Sequence, residues 1–457
     1  MGEDHRAIRM VKIFGTAGVR GVFNKTQTPS QVYKLAETIA FVFGRGKYGV
    51  GWDGRKSSAL LARTILSAVC SNASDAVAFG LLPTPALAYG TRENRCKVGF
   101  SVTASHNPPE FSGVKVFGEN GMELSESDEQ RIERAFVVES HKSSGNFGQI
   151  LWNEENLYEY RDAIVRRYQP AKTRLRIAVD CASGPGGLVT PYVLNALGHH
   201  LVPVNAQVSW RFPARLPEPT PDNLVDFLQI VPSLGVDLGF AHDGDADRLV
   251  MVDSMGRLVP DSLCSILALR GIRRSSGTVV LSENTSASVD EEARNLGFRV
   301  VRARVGKTFA LLEKENGVFA TEPSKITDPA WGLWEDGMNA AAMIADVVSR
   351  DRTALERLIS DNRWYFKQVN LGVGVDVRLL EPRAREVFKR YRIEDERVVD
   401  GYKLVFASGS WIMFRSSGTE SKSRIYCESK DPEELQAMIQ EGIRCIEALV
   451  YNPLRQN

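Results

Sequence analysis

Leu175-Arg-Ile-Ala-Val-Asp180 is followed by Cys-Ala-Ser-Gly-Pro-Gly-Gly187 and then by Val189 to Leu197. The first run is short and apolar and ends in a carboxylate. The middle is rich in turn formers, and the last stretch recovers a helical spacing of apolar residues. The same theme occurs twice more. Tyr48-Gly-Val-Gly-Trp-Asp53 leads into a helical stretch from Ser57 to Val69, and Thr278-Val-Val-Leu281 leads through Asn284-Thr-Ser into a helix ending at Leu296. Alternating strands and helices predict parallel sheets with crossovers, in which ligands gather at the C-terminal strand ends.

The 457 residues are too many for one core, and length alone suggests roughly three domains. With 43% hydrophobic and 25% charged residues the composition is that of an ordinary globular protein. The net charge of +1 argues against nucleic acid or a charged membrane surface as partner. No apolar run suffices to span a bilayer, and the first residues lack the apolar core of a secretory signal. Six scattered cysteines, with no C-x-x-C pair, fit a reducing cytoplasm.

The C-terminal part reads differently. Val369 to Val377, Trp411 to Phe414 and Ser423 to Glu428 are expected strands. A closing helix follows, with Asp431 as N-cap, Pro432 at its first position and an apolar stripe from Leu435 to Val450. The expected fold class is therefore α/β: three α/β domains with mixed or parallel sheets, plus a smaller C-terminal α+β domain. Expected boundaries are 1–150, 151–253, 254–366 and 367–457.

Five segments carry chemistry. Ser105 lies in Thr103-Ala-Ser-His-Asn-Pro-Pro109, after the strand-like run Val98 to Val102 and ahead of Lys115. Two prolines stiffen the loop, which suits either a nucleophile or a phosphate carrier. Asp243-Gly-Asp-Ala-Asp-Arg248 sits between the apolar runs Val236 to Phe240 and Leu249 to Asp253. If Gly244 lets the backbone bend, Asp243, Asp245 and Asp247 converge as three hard oxygen ligands suited to Mg²⁺. Arg415-Ser-Ser417-Gly418-Thr419 combines a guanidinium with hydroxyls and a flexible glycine, which suits an oxyanion. Gly15-Thr-Ala-Gly-Val-Arg20-Gly21, after an expected strand Val11 to Phe14, places an arginine in a glycine-rich loop. In Ala320-Thr-Glu322-Pro-Ser324-Lys325, a Glu and a Ser flank a proline, a spacing suited to sugar hydroxyls. Gly306-Lys307-Thr308 is not a Walker loop, since Val301 stands where glycine is needed, but Lys307 remains a phosphate or sugar contact. His106 adjoins Ser105 on a strand-like segment, so the two are expected to point apart rather than form a nucleophile–base pair.

In this order these segments resemble the α-D-phosphohexomutase family, the phosphoglucomutases and phosphomannomutases, over essentially the whole chain. Pro83-Thr-Pro85 and Phe212-Pro-Ala-Arg-Leu-Pro-Glu-Pro219 look similar too. The resemblance implies four domains around a central cleft. It implies a phosphorylated Ser105 that exchanges its phosphoryl group with hexose phosphates through a hexose bisphosphate. It further implies Mg²⁺ on Asp243, Asp245, Asp247 and the phosphoserine, and Lys115 as general acid/base. Arg20 and Arg248 would steady the phosphoryl group, with Glu322, Ser324 and Lys307 at the sugar and Arg415 to Thr419 at its distal phosphate. Bacterial members often follow the Glu-x-Ser element with Gly and His, where this chain has Lys325 and Ile326, and some have His in place of Lys307. Glucose, mannose and glucosamine phosphates are thus all candidate substrates. A metal-dependent sugar-phosphate phosphatase and a non-catalytic sugar-phosphate sensor are the readings from other classes.

Overall fold

The computed structural model describes residues 12–15, 18–137, 145–416 and 422–450. They form two compact units. The first comprises residues 1–264, 270–272 and 324–352, and the second 265–269, 273–323 and 353–457.

Two mixed sheets lie in the first unit. In the six-stranded one, Lys47–Trp52 pairs in parallel with Asp75–Leu81 and Val98–Val102. Phe111–Gly118 and Val19–Val22 continue antiparallel beyond Val98–Val102, and Ile150–Trp152 closes the other edge. In the five-stranded one, Arg176–Asp180 pairs in parallel with His200–Val204 and Leu238–His242, followed antiparallel by Leu249–Asp253 and Leu258–Val259. These sheets therefore extend past residues 150 and 253. Their central strands are buried on both faces, as crossover helices require.

The glycine-rich turn after Asp180 becomes a short 3₁₀ segment, Pro185–Leu188, and then the helix Thr190–Ala196. Helix Ser58–Ser71 packs its apolar stripe on the first sheet through Leu61, Ile65 and Val69. The expected strand Val11 to Phe14 is corrected: Val11 lies outside the described residues, and 12–14 form no ladder. The Ile13 and Phe14 amides instead donate to Glu133 Oε1 at 2.7 and 3.1 Å, which satisfies them without a strand partner. The strand falls later, at Val19–Val22, and carries Arg20.

His199 is a buried imidazole whose Nδ1 accepts the Leu175 amide at 3.3 Å. Burial pushes its pKa below the usual value. The unfolded chain therefore takes up a proton first as pH falls. Stability is complete above the ordinary imidazole value and is lost as pH drops through it toward the folded value. The Tm is expected to fall between about pH 7 and about pH 5, with a shallower fall in His199→Asn. Parallel slopes for the two proteins would show that His199 is not the group responsible.

In the second unit, Thr278–Ser282 pairs in parallel with Arg299–Ala303 and Phe319–Glu322. A separate antiparallel sheet runs Tyr365–Leu371, Ser423–Ser429, Trp411–Ser416, Tyr402–Phe406, Ile393–Arg397. Helices Val377–Phe388 and Pro432–Val450 pack on it through Leu380, Phe388, Met438 and Ile446. Asp431 Oδ1 accepts the Glu433 amide at 2.9 Å, as the N-cap reading requires. The expected strand Val369 to Val377 is too long. It stops at Leu371, before Gly372 and Gly374, and Val377 opens a helix. Within this sheet two strands escaped the sequence reading, the charged edge Ile393–Arg397 and its neighbour Tyr402–Phe406.

Candidate functional site

Ser105 lies just past strand Val98–Val102, at the C-terminal strand ends where the parallel arrangement exposes loops. Its φ is +51°, a left-handed conformation that costs a non-glycine residue about 1–3 kcal/mol and persists only where the surroundings impose it. Its amide donates to Thr103 Oγ1 at 2.8 Å, and its hydroxyl donates to Asp243 Oδ2 at 2.8 Å. The reading of His106 is corrected here. Because Ser105 leaves the extended region, neighbouring side chains no longer alternate, and His106 Nδ1 lies 3.4 Å from Ser105 Oγ. Burial, with the charges of Arg248 and Arg20, pushes that imidazole far below its ordinary pKa.

Asp243, Asp245 and Asp247 leave strand Leu238–His242, and each offers a carboxylate oxygen within 4.8 Å of the others. Ala246 has φ +59°, so the loop curls as three converging ligands demand. A Cβ on Gly244 would stand 2.4 Å from the Ser105 carbonyl oxygen, so glycine is what lets the two loops touch. Lys115, in strand Phe111–Gly118, is buried with its ammonium on Asp245 Oδ2 at 2.8 Å and on Asp247 Oδ2. Thr84 Oγ1 donates to Asp245 Oδ2 at 2.6 Å.

The electrostatics separate the three acids. Burial and the charges of Asp247 and Asp245 drive the Asp243 carboxyl well above the usual range. Burial acts in the same direction on Asp247 and Asp245, but the Lys115 ammonium, joined by Lys325 and Arg248 at Asp247 and by the Thr84 hydroxyl at Asp245, holds both low. For Lys115 burial favours the neutral amine, yet the two carboxylates hold it charged. Asp245 Oδ1 and Asp247 Oδ1 are buried and accept no hydrogen bond. Orphaned carboxylate oxygens beside a third acid fit a hard divalent cation, which needs oxygen ligands and would offset their repulsion.

Arg20 Nη1 donates to Asn107 Oδ1 of the serine loop at 3.0 Å, and Arg248 Nε lies 3.9 Å from Asp243 Oδ2. Ser105, Lys115, Arg20, Arg248 and the three aspartates thus form one cluster in the first unit. Ser324 is also in this unit, with φ +61° and its carbonyl accepting the Leu249 amide at 2.8 Å. Lys325 forms an ion pair with Glu335.

The second unit holds other expected residues. Both Glu322 carboxylate oxygens accept the Gly306 amide at 2.9 Å, and Thr308 Oγ1 donates to Oε1 at 3.1 Å, which joins Glu322 to the turn bearing Lys307. Arg415 Nε pairs with Asp400 Oδ2 at 2.9 Å, and the same oxygen accepts the Val305 amide at 3.0 Å. Ser417, Gly418 and Thr419 lie outside the described residues. Sequence reasoning gave no role to Arg55 and Glu335 of the first unit or Asp400 of the second, and quoted the segments of Thr84, Asn107 and Arg215 without singling those residues out. Their signal was weak, a single polar residue at a strand end or turn.

The chain is thus a multidomain protein of α/β layers with mixed sheets and an added antiparallel domain. Residues 11–142, 158–256 and 259–363 match the phosphoglucomutase/phosphomannomutase α/β/α domains I, II and III. The chain belongs to the phosphoglucomutase/phosphomannomutase family, within the α-D-phosphohexomutase superfamily of isomerases. It is 32% identical to a phosphopentomutase and 33% identical to a phosphoglucomutase/phosphomannomutase, both of Thermococcus kodakarensis, each over 96% of this chain and 99% of the relative. It is 30% identical to a probable phosphoglucosamine mutase of Methanobrevibacter smithii, over 95% of this chain and 98% of the relative. A phosphoglucomutase/phosphomannomutase family protein from Burkholderia thailandensis shares the fold, with a TM-score of 0.85 at 20% identity over 96% of this chain and 98% of that one. Among the described residues, no helix is long and apolar enough to cross a membrane.

Proposed function

We propose that this chain interconverts hexose 1-phosphates and hexose 6-phosphates, with Ser105 as phosphoryl carrier and a hexose 1,6-bisphosphate as intermediate. The observation that carries this reading is the Ser105 hydroxyl on a strained loop, 2.8 Å from a carboxylate of a buried triad. Phosphoserine, Asp243, Asp245 and Asp247 would hold Mg²⁺, which when bound neutralises charge on the transferring group. Arg20 and Arg248 add fixed positive charge on the same side. Lys115 serves as the proton partner of the sugar oxygen. As that oxygen attacks phosphorus and the bond to Ser105 Oγ breaks, the proton Lys115 carries goes to the departing Ser105 oxygen, Lys115 takes the proton of the sugar hydroxyl, and the bisphosphate forms. After the bisphosphate turns over, Ser105 Oγ attacks the other phosphorus and the remaining monophosphate leaves.

In the second unit, Glu322 and Lys307 are assigned to sugar hydroxyls, and the loop from Arg415 through Ser417, Gly418 and Thr419 to the distal phosphate. Ser324 is assigned to the sugar as well. Arg415→Ala is expected to raise KM about tenfold to a hundredfold, the value of one or two hydrogen bonds to a charged group. An unchanged KM would remove Arg415 from the assignment.

Glucose and mannose phosphates are the proposed substrates, with glucosamine phosphate the alternative. The relatives' names divide between phosphoglucomutase/phosphomannomutase, phosphoglucosamine mutase and phosphopentomutase, and none speaks for a phosphatase. The deciding experiment gives the Mg²⁺-loaded protein glucose, mannose, glucosamine and ribose 1-phosphates side by side. Interconversion of glucose or mannose phosphate without free phosphate supports the proposal, and turnover of glucosamine phosphate alone replaces it with the alternative. Release of inorganic phosphate, or turnover of ribose phosphate alone, overturns it.

A further inference from the structure

Two buried networks in the first unit share one plan. Asp53, just past strand Lys47–Trp52, accepts from Arg55 Nε at 3.0 Å, Thr103 Oγ1 at 2.7 Å and Ser58 Oγ at 2.6 Å. Arg55 turns its fork onto main-chain oxygens of the serine loop. Nη2 donates to Ser105 O at 2.7 Å and Asn107 O at 2.6 Å, and Nη1 donates to Pro108 O at 2.6 Å. Asp180, at the end of strand Arg176–Asp180, accepts from Arg215 Nε at 2.9 Å. Arg215 Nη2 then donates to the carbonyl of His242, the residue before Asp243, at 2.7 Å. In each case a strand-end carboxylate aims an arginine at the loop leaving the adjacent parallel strand.

One segment joins the two networks. Phe212, itself at φ +47°, places its ring 5.1 Å from the Arg55 guanidinium, and three residues later comes Arg215. Pro217 Cβ lies 3.0 Å from where a Cβ on Gly244 would stand, and Ser105 O lies 2.4 Å from that same point. Gly244 is thus seated between the serine loop and this segment. Left-handed Ser105 and Ala246 need surroundings that impose their conformation, and a planar guanidinium fork held by a carboxylate does so better than a lysine ammonium.

We propose that Phe212–Pro217, with the Asp53–Arg55 and Asp180–Arg215 pairs, is one positioning element that sets the Ser105 oxygen against the Asp243 carboxylate. Arg55 and Arg215 are positioning residues, acting on the transfer through the two loops. The inference rests on the reading of Ser105 as phosphoryl carrier.

Full-length Arg55→Lys, Arg215→Lys and Phe212→Leu variants test it, with Mg²⁺, glucose 1-phosphate and glucose 1,6-bisphosphate. A loosened donor costs kcat about a hundredfold in the lysine variants while KM stays within about threefold, because a small misplacement at the reacting atoms acts on the transition state. The phosphoserine phosphorus resonance is expected to shift or broaden in all three. Phe212→Leu leaves every charge in place and carries the test if a lysine variant does not fold. Variants with lowered Tm but wild-type kcat and an unmoved resonance overturn the inference and identify the pairs as fold supports only. A wild-type protein that neither takes phosphate on Ser105 nor interconverts the sugar phosphates overturns the underlying reading instead.

Discussion

Ser105→Ala is expected to lose interconversion of hexose phosphates by several orders of magnitude while the fold persists. The alanine cannot carry a phosphoryl group, and no neighbouring hydroxyl replaces it: Thr103 Oγ1 is engaged with Asp53 and with the Ser105 amide. Removing one hydroxyl frees Asp243 Oδ2 and the long contact to His106 Nδ1, so the cost falls on chemistry rather than on packing. Because Ser105 sits at φ +51°, Ser105→Gly is the better control for backbone effects, since glycine accepts that conformation freely. Both variants are expected to be equally inactive. Intact mass after exposure to glucose 1,6-bisphosphate should show one added phosphate on the wild type and none on either variant. Near-normal turnover in Ser105→Ala would falsify the carrier assignment.

Withdrawal of divalent cation is expected to have an effect of similar size. Three carboxylates within 4.8 Å of one another are buried, and a single ammonium from Lys115 answers two of them. The third, Asp243, has the Ser105 hydroxyl and the more distant Arg248 guanidinium, and burial with like-charge repulsion still outweighs them. Treatment with EDTA should take activity to background and Mg²⁺ should restore it. A readout free of catalysis accompanies this: a ligand of the native state alone stabilises it by about 2.7 kcal/mol at a hundredfold excess over Kd, so Mg²⁺ should raise the Tm. In Asp245→Asn the gain should shrink sharply, since a ligand charge is lost. A Tm indifferent to Mg²⁺ in the wild type would refute the metal reading of this triad.

Much of this site was legible because its chemistry is local in sequence. Alternate aspartates with small residues between them, set between two apolar runs, point to convergence, since an ordinary acidic turn has no need of buried strands on both sides. The apolar runs before Ser105 and Asp243 place both loops at strand ends of an α/β fold. The supports were hidden for an equally physical reason. Arg55 and Arg215 act on main-chain oxygens, which every residue possesses, so their targets leave no mark on composition. His106 faces Ser105 Oγ because strand alternation ends at Ser105, which turns left-handed. The overlong strand at Val369 came from valines alternating with glycines, a pattern that β-propensity favours and chain flexibility breaks.

By itself the sequence determined the layered α/β class and the family, and it singled out the serine, the lysine and the three aspartates. Periodicity and short motifs are properties of neighbouring residues, so they survive without coordinates. Only the tertiary structure decided that Ser105 meets Asp243, that Lys115 answers Asp245 and Asp247, and that Phe212 lies against Arg55 and Pro217 against Gly244. The Ser105–Asp243 and Lys115–Asp245 contacts join residues 138 and 130 positions apart in the chain. Such pairings arise from the way strands are ordered in the sheets and from burial, which strengthens charge interactions and makes each unmatched one costly.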